Sequence, residues 1–432
     1  MKILQIFNSK QIRTAAVGSV AIKFLSALFA LANGILLANF MSVAAFGVYV
    51  LAFTTITVIS IPVSMGLPHL ITRFTSKYVV SNDMAALKGL LIRSNQFVLL
   101  STLIAVVLAL ISYVLWWKTY SSEIVATFWY AFLLLPLLVF GALRAATLRG
   151  LKYVILGQMP DTFLRNLFFT MLLLSVFLFD LEMTPKRAMI FHSIAAAMAF
   201  FIGYLFLRLK LLKDLRGVKA VFFSRSWLKE AIPFSVISGV QVVKSKVLVY
   251  ILVVFGNTEA VAIFDVAMRG AALVSFTVDA LNKAISPYIS SAFERKHMDS
   301  LQRIVKKTAR IILVFSMPIA LVFIFGGKPI LSLLFGENYA TSYLPLLVLC
   351  LGHLVNTLVG PVAPVLNMTG NQGFLSKNQI LMMIISVVLS VPFVYYWDVL
   401  GAAFVFSIVI TLQGFLLVVF IKRKLHINTT VF

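Results

Sequence analysis

Uninterrupted apolar runs of membrane-spanning length recur along the whole chain. A helix needs about 20 apolar residues to cross a bilayer, and about twelve runs reach that length. Hydrophobic residues make up 61% of the 432 residues and charged residues 12%, so a soluble surface cannot be built from this composition. The sequence therefore predicts an all-α polytopic membrane protein. The predicted spans are 15–40, 46–69, 92–115, 124–148, 155–179, 188–207, 231–254, 260–289, 308–325, 342–366, 379–397 and 399–421.

The basic residues are distributed unevenly between the two sides of this arrangement. If the N-terminus is cytoplasmic, the connecting segments on that side carry 27 Lys and Arg residues, and those on the other side carry four. Cytoplasmic loops hold an excess of Lys and Arg, so we expect both termini to be cytoplasmic. This asymmetry explains most of the net charge of +23 without a nucleic-acid partner. It also predicts attraction to anionic headgroups of membrane lipids.

The basic segment 208–230 divides the spans into six and six. We therefore predict an N-terminal bundle at 1–207, a cytoplasmic linker at 208–230 and a C-terminal bundle at 231–432. Both halves begin on the same side, so any internal repeat is parallel. The linker and a second basic stretch at 292–310 are predicted to be helices that lie at the cytoplasmic interface.

Nine charged residues remain inside the predicted spans when Arg93, Arg144 and Arg310, near span ends, are counted with the cytoplasmic segments. A charge near the centre of a bilayer costs about 2.5–3.5 kcal/mol, so these side chains must face a protein interior or a wet cavity. They are the cations Lys23, Arg165, Lys244, Lys246, Arg269 and Lys283 and the acids Asp161, Asp265 and Asp279.

Each of these acids precedes a cation by four residues, which is a favourable helical spacing. The pairs are Asp161 with Arg165, Asp265 with Arg269, and Asp279 with Lys283. In one interpretation the pairs are structural clips. In the other, the surplus of cations lines a cavity for an anionic ligand such as phosphate or diphosphate. Lys244 and Lys246 are two residues apart and cannot share one helix face, so the spacing leaves open which of them faces the cavity.

Signals for catalysis or metal binding do not emerge from the sequence. No Walker A pattern occurs, and no outer segment carries a converging set of acids and bases. His69, His192, His353 and Cys350 lack the paired spacing of a metal site. We expect no enzyme activity and no cofactor; a coupling ion, H⁺ or Na⁺, stays open, with the three intramembrane acids as candidate sites.

Loose motifs in a fixed order resemble those of a known group. The chain is similar to the polysaccharide-exporter branch of the multidrug/oligosaccharidyl-lipid/polysaccharide transporter superfamily, and most of all to bacterial O-antigen flippases. The motifs are LANF at 37–40, FGVY at 46–49, AIPF at 231–234, FDVAMR at 264–269, LFGENYA at 334–340 and VLNMTG at 365–370.

The resemblance implies two six-helix bundles that form a V around a central cavity, in the bacterial inner membrane. Its implied function is the translocation of a polyprenyl-diphosphate-linked oligosaccharide for lipopolysaccharide biosynthesis, next to other polysaccharide assembly proteins. Related peptidoglycan-precursor flippases use an arginine in the eighth span, and Arg269 matches that position. They also use arginines in the first two spans, where this chain offers Lys23 and then no basic residue before Arg73, which argues against a peptidoglycan precursor.

Three alternatives remain open. A small-molecule exporter of the same fold is one, although the multidrug branch often places an acid in the first span and no acid precedes Asp83 here. A non-transporting membrane scaffold is the second, and it predicts that the charge pairs only lock helices together. An embedded glycan polymerase, the third, would need clustered functional residues on the outer face.

Overall fold

The computed structural model describes residues 9–116, 121–180 and 182–431. These residues form helices and connecting turns, and no strand occurs among them. The helices are α1 Ser9–Phe40, α2 Val43–Ser64, α3 Leu67–Val80, α4 Met84–Trp116, α5 Ser122–Gly150, α6 Val154–Met159, α7 Arg165–Leu178, α8 Pro185–Leu207, α9 Ser224–Phe255, α10 Thr258–Glu294, α11 Met298–Phe335, α12 Tyr343–Val359, α13 Val362–Met368 and α14 Gln372–Leu425. Short π-helical turns at Pro160–Leu164 and Arg208–Leu212 and a 3₁₀ turn at Glu337–Ser342 join some of them.

The predicted all-α polytopic fold is confirmed. Within the described part of the chain, nine helical stretches are long and apolar enough to cross a membrane. The charged helix α10 is not among them, and α14 counts once although it contains two predicted spans. Along α4, eight large apolar side chains are more than half exposed, as expected for a lipid-facing helix: Leu99, Leu100, Leu103, Ile104, Val107, Leu108, Val114 and Leu115.

The long helix α14 is two antiparallel helices separated at one residue. Asp398 has φ 47° and ψ −126°, values that no α-helix contains. The rings of Phe374 and Phe420 stack with centroids 3.7 Å apart. At the turn, a Cβ on Gly401 would lie 1.9 Å from the Phe393 carbonyl oxygen, whereas eight residues of continuous helix span about 12 Å. The two last predicted spans, 379–397 and 399–421, are therefore confirmed.

Three other predicted elements differ from the structure. The span predicted at 46–69 ends at Ser64, because Met65 and Gly66 both have positive φ, and the chain continues as α3. The stretch 292–310 does not form an interfacial helix of its own, because α11 starts at Met298 and runs without a break into the ninth span. The linker 208–230 is a π turn followed by irregular backbone, and a helix resumes only at Ser224.

Packing groups the chain into two compact units. The first comprises Met1–Met41 and Leu51–Val242, so it includes the linker, and the second comprises Ser42–Val50 and Val243–Phe432. In the first unit, α5 packs against α8 and α3, and α7 packs against α8 and α1. In the second unit, α10, α11 and α12 pack against one another, and α12 packs against α14.

The Asp398 turn gives the first prediction. Replacing Gly401 with Ala places a methyl group on the Phe393 carbonyl and forces the two helices apart, which costs about 1–3 kcal/mol. Gly326→Ala is the matched control, because its new methyl group would meet only the Ile330 side chain at 3.6 Å. Thermal unfolding of the purified protein in detergent should show a lower midpoint for Gly401→Ala alone. Equal midpoints for the two variants would contradict the tight turn.

Candidate functional site

An ion pair lies in the interior of the first unit. Arg144, on α5, donates from Nη2 to Asp161 Oδ1 at 2.6 Å and from Nη1 to the Phe200 carbonyl at 2.9 Å. The arginine side chain is 4% exposed and the aspartate 30%. Arg144 Nε and Asp161 Oδ2 are buried, and neither has a hydrogen-bond partner within the described residues.

The sequence makes room for this arginine on the facing helix. A Cβ on Gly203 of α8 would lie 2.2 Å from Arg144 Cζ, so any larger residue would displace the guanidinium. Asp161 lies in the π-helical turn Pro160–Leu164, where Pro160 cannot donate a helical hydrogen bond. Glycine and proline thus place an arginine and an aspartate from different helices in contact.

This pair corrects the prediction for both residues. The sorting of basic residues assigned Arg144 to a cytoplasmic segment, but the side chain is buried within α5. The helical spacing predicted Arg165 as the partner of Asp161, and the carboxylate instead forms its ion pair with Arg144. Contacts between separate helices leave no trace in local spacing, so the sequence could not reveal this pair. Arg165 itself is half-buried in α7.

A ladder of polar side chains joins α1 to α6 and α7 in the same unit. Ser19 donates to Gln158 at 2.8 Å, and Ser26 donates to the Thr162 carbonyl at 2.8 Å. Further along, hydrogen bonds connect Asn33 with Asn166 and Thr170, and Asn166 with Ser26. We call the following residues the polar ladder: Ser19, Ser26, Asn33, Gln158, Thr162, Asn166 and Thr170.

Sequence reasoning missed the polar ladder, although a signal was present. Its α1 members are spaced by seven residues and its other members by four, the spacings of two facing helices. Interhelical hydrogen bonds in membranes contribute about 0.6 kcal/mol each, so the ladder fixes helix register more than it adds stability. Lys23, a predicted site residue, lies between Ser19 and Ser26 on this face of α1 and is half-buried.

The predicted Asp265–Arg269 pair is present in the second unit. Arg269 donates from Nε to Asp265 Oδ2 at 2.5 Å, one turn apart on α10. The arginine side chain is 26% exposed and the aspartate 21%. The Arg269 side chain is therefore more accessible than that of Arg144, although Asp265 is less exposed than Asp161.

Three of the sequence motifs converge on this pair. Tyr49 lies near Arg269, and Tyr339 lies near Asp265. The Tyr339 ring contacts Phe46 edge-on, with centroids 6.3 Å apart, and its hydroxyl is buried without a hydrogen-bond partner in the described residues. We call Tyr49, Asp265, Arg269 and Tyr339 the Arg269 site.

The other predicted site residues are dispersed over the two units. Lys246 is half-buried on α9, and Asp279 is exposed on α10. The side chains of Lys244 and Lys283 lie outside the described residues, so the pair of Asp279 with Lys283 stays a prediction. That all these cations line one chamber also stays a prediction.

Of the three histidines named from the sequence, His192 and His353 occupy packed positions, whereas His69 is exposed. The His192 ring stacks between Phe53 and Phe169, with centroid distances of 4.9 and 4.6 Å. His353 packs against Phe406. The described residues contain no group of three His, Cys, Asp or Glu residues placed to hold a metal ion.

Comparison with known proteins relates the fold to solved transporters. No family model matches the sequence, and no curated protein matches it. A multidrug resistance MATE family transporter of the MOP superfamily, in its inward-facing conformation, is similar with a TM-score of 0.75 and 14% identity, over 95% of this chain and 98% of that chain. A MOP superfamily transporter from Pyrococcus furiosus is similar with a TM-score of 0.67 and 15% identity, over 96% of both chains.

This chain has the fold of the MATE transporters. It is a multi-pass membrane protein, and at 14–15% identity its likeness to these structures is one of fold. The polysaccharide-exporter branch stays a prediction.

The buried ion pair gives the second prediction. Arg144→Met strands the Asp161 carboxylate in the bundle, and breaking a buried pair in this way costs about 3–5 kcal/mol. Arg73→Met is the control, because Arg73 and Glu230 form a pair with side chains 66% and 37% exposed, worth about 0–1 kcal/mol.

Thermal unfolding in detergent should place Arg144→Met well below Arg73→Met. The double variant Arg144→Met, Asp161→Leu should recover part of the loss, because it leaves no stranded charge. An Arg144→Met midpoint equal to that of Arg73→Met would show that the pair does not support the bundle.

Proposed function

We propose that this protein is a flippase that moves a polyprenyl-diphosphate-linked oligosaccharide across the membrane by alternating access. The diphosphate would bind cationic side chains within the spans, the sugars would occupy a wet cavity, and the prenyl chain would stay in lipid. The observation that carries the proposal is the Arg269 site, where three motif segments meet at the Asp265–Arg269 ion pair.

The fold supports the transport part of this proposal. The similar solved structures are transporters of one superfamily, and the likeness extends over nearly the whole chain. One of them is described as having a binding pocket of reversed polarity that suggests a different function. A pocket of altered charge is therefore compatible with this fold, and substrate class has to be argued from the residues.

The charges within the spans support an anionic substrate. Adding Arg144 to the six cations assigned to the span interiors gives seven cations against three acids. Arg269 engages Asp265 through Nε, and a guanidinium carries five donors in a planar fork. Phosphate oxygens are the acceptors that such a fork binds best.

The acids have a supporting role in this proposal. Asp265 holds the Arg269 guanidinium in one orientation, and Asp161 does the same for Arg144. Asp161 Oδ2 is buried without a hydrogen-bond partner in the described residues. Binding of a coupling ion by these acids stays a prediction.

A small-molecule exporter is the second candidate, and the fold itself favours it, because the similar structures include a multidrug transporter. The two candidates differ in what loss of the gene does. Loss of a flippase removes surface polysaccharide, whereas loss of an exporter raises sensitivity to small toxic molecules. The excess of intramembrane cations favours the flippase, because repulsion opposes the binding of a cationic drug.

The third prediction concerns Arg269 in cells that lack the chromosomal gene. Arg269→Ala should lower surface polysaccharide by roughly tenfold or more at unchanged protein level, because a hydrogen bond to a charged group is worth about 1.5–3 kcal/mol. Arg269→Lys keeps the charge without the fork and should retain part of the activity. Lys328→Gln, which removes an exposed cation on α11, should behave as wild type.

The double variant Asp265→Asn, Arg269→Gln separates the two roles of the pair. It removes both charges and strands neither, so a purely structural pair predicts normal polysaccharide in this variant. Substrate binding by Arg269 predicts that the defect persists. Wild-type polysaccharide in Arg269→Ala would remove Arg269 from the mechanism.

A further inference from the structure

The backbone of the linker 208–230 is fixed onto the first unit. Lys88 Nζ donates to the carbonyls of Leu215 and Val218 at 3.1 and 2.9 Å. The Val221 N–H donates to the Ala85 carbonyl at 3.0 Å. The linker therefore lies along the first turns of α4.

Glycine at position 89 permits this approach. A Cβ on Gly89 would lie 1.8 Å from the Val221 carbonyl oxygen, so no other residue leaves room for the linker backbone.

Buried side chains hold the same segment along its inner side. Leu211, Leu215 and Trp227 are 3%, 4% and 2% exposed. Trp227 Nε1 donates to the Tyr78 hydroxyl at 3.0 Å, which fixes the far end of the linker on α3. The outward-facing side chains are consequently presented from a defined scaffold.

The outer side of the linker combines cations with apolar side chains. Seven basic residues stand against Asp214 and Glu230, a net charge of +5, and all seven are exposed: Arg208, Lys210, Lys213, Arg216, Lys219, Arg225 and Lys229. Val221, Phe222 and Phe223 follow one another and are 44%, 45% and 49% exposed.

The two phenylalanine rings are oriented by their neighbours. The Arg93 guanidinium lies over the Phe222 ring, 5.0 Å from its centroid, and Phe223 contacts Trp227 edge-on at 5.9 Å. Each ring is thus held on one side and exposed on the other. The two side chains therefore lose little conformational entropy when a partner binds them.

We propose that this surface binds the headgroups of anionic phospholipids, while Phe222 and Phe223 enter the interfacial layer of the bilayer. The linker follows α8, which is long and apolar enough to cross a membrane, and leads into the 32-residue helix α9, so we place the linker at the bilayer surface. Clustered cations are attracted to anionic lipids, and adjacent aromatic rings supply the second, apolar contribution that stable membrane attachment needs. The inference is independent of the transported substrate.

Spin labelling of the full chain tests this surface. In a Cys350→Ala background, which removes the one native cysteine, Phe223→Cys carries a nitroxide, and Val221→Cys serves as a second labelling site if Phe223→Cys does not fold. The purified protein is reconstituted into phosphatidylcholine vesicles with and without phosphatidylglycerol. Collision of the label with oxygen, which is concentrated in the bilayer, is compared with collision with a water-soluble nickel chelate.

When phosphatidylglycerol is present, we expect the label to collide more often with oxygen and less often with the nickel chelate. Replacing Lys213, Arg216 and Lys219 together by Gln should abolish this shift, whereas the matched control Lys328→Gln should leave it unchanged. A label that stays in water in both lipids would overturn the inference. Insertion of the label to the same extent without phosphatidylglycerol would also overturn the inference. So would insertion that the triple substitution leaves unchanged.

Discussion

A charge lies within the hydrocarbon interior of a bilayer only where protein groups take the place of water around it. This requirement explains the interior of both units. Arg144 reaches an aspartate and a backbone carbonyl, and Arg269 reaches an aspartate one turn away. The apolar exterior of α4 is the other consequence of the same requirement.

The two ion pairs satisfy that requirement in different ways, and the difference separates their roles. Arg144 is 4% exposed and is enclosed by residues of three elements, so no substrate reaches it without rearrangement of the bundle. Arg269 is 26% exposed and lies where three motif segments meet. A site that must bind and release a ligand needs the second kind of environment. In the proposed function the diphosphate therefore binds Arg269, and Arg144 contributes only its charge from within the bundle.

The sequence predicted most of the helices correctly, but it did not predict the contacts between different helices. The helical fold and the last two spans followed from hydrophobic length alone, and the Asp265–Arg269 pair followed from spacing within one helix. The Arg144–Asp161 pair did not, because its partners lie on different helices and Arg144 stands near other basic residues. The break at Met65 and Gly66 and the irregular linker were missed for a related reason: hydrophobicity reports burial or lipid contact, and it does not report backbone conformation.

Cationic side chains within the spans serve, in this account, to bind the diphosphate of a lipid-linked sugar. The most direct test is translocation by the purified protein in vesicles, with a fluorescent polyprenyl-diphosphate oligosaccharide and a matched lipid that has the same sugars and chain joined without phosphate. The account predicts protein-dependent movement of the diphosphate lipid only, without competition from a cationic drug. Equal movement of the phosphate-free lipid, or transport of the drug instead, would contradict it.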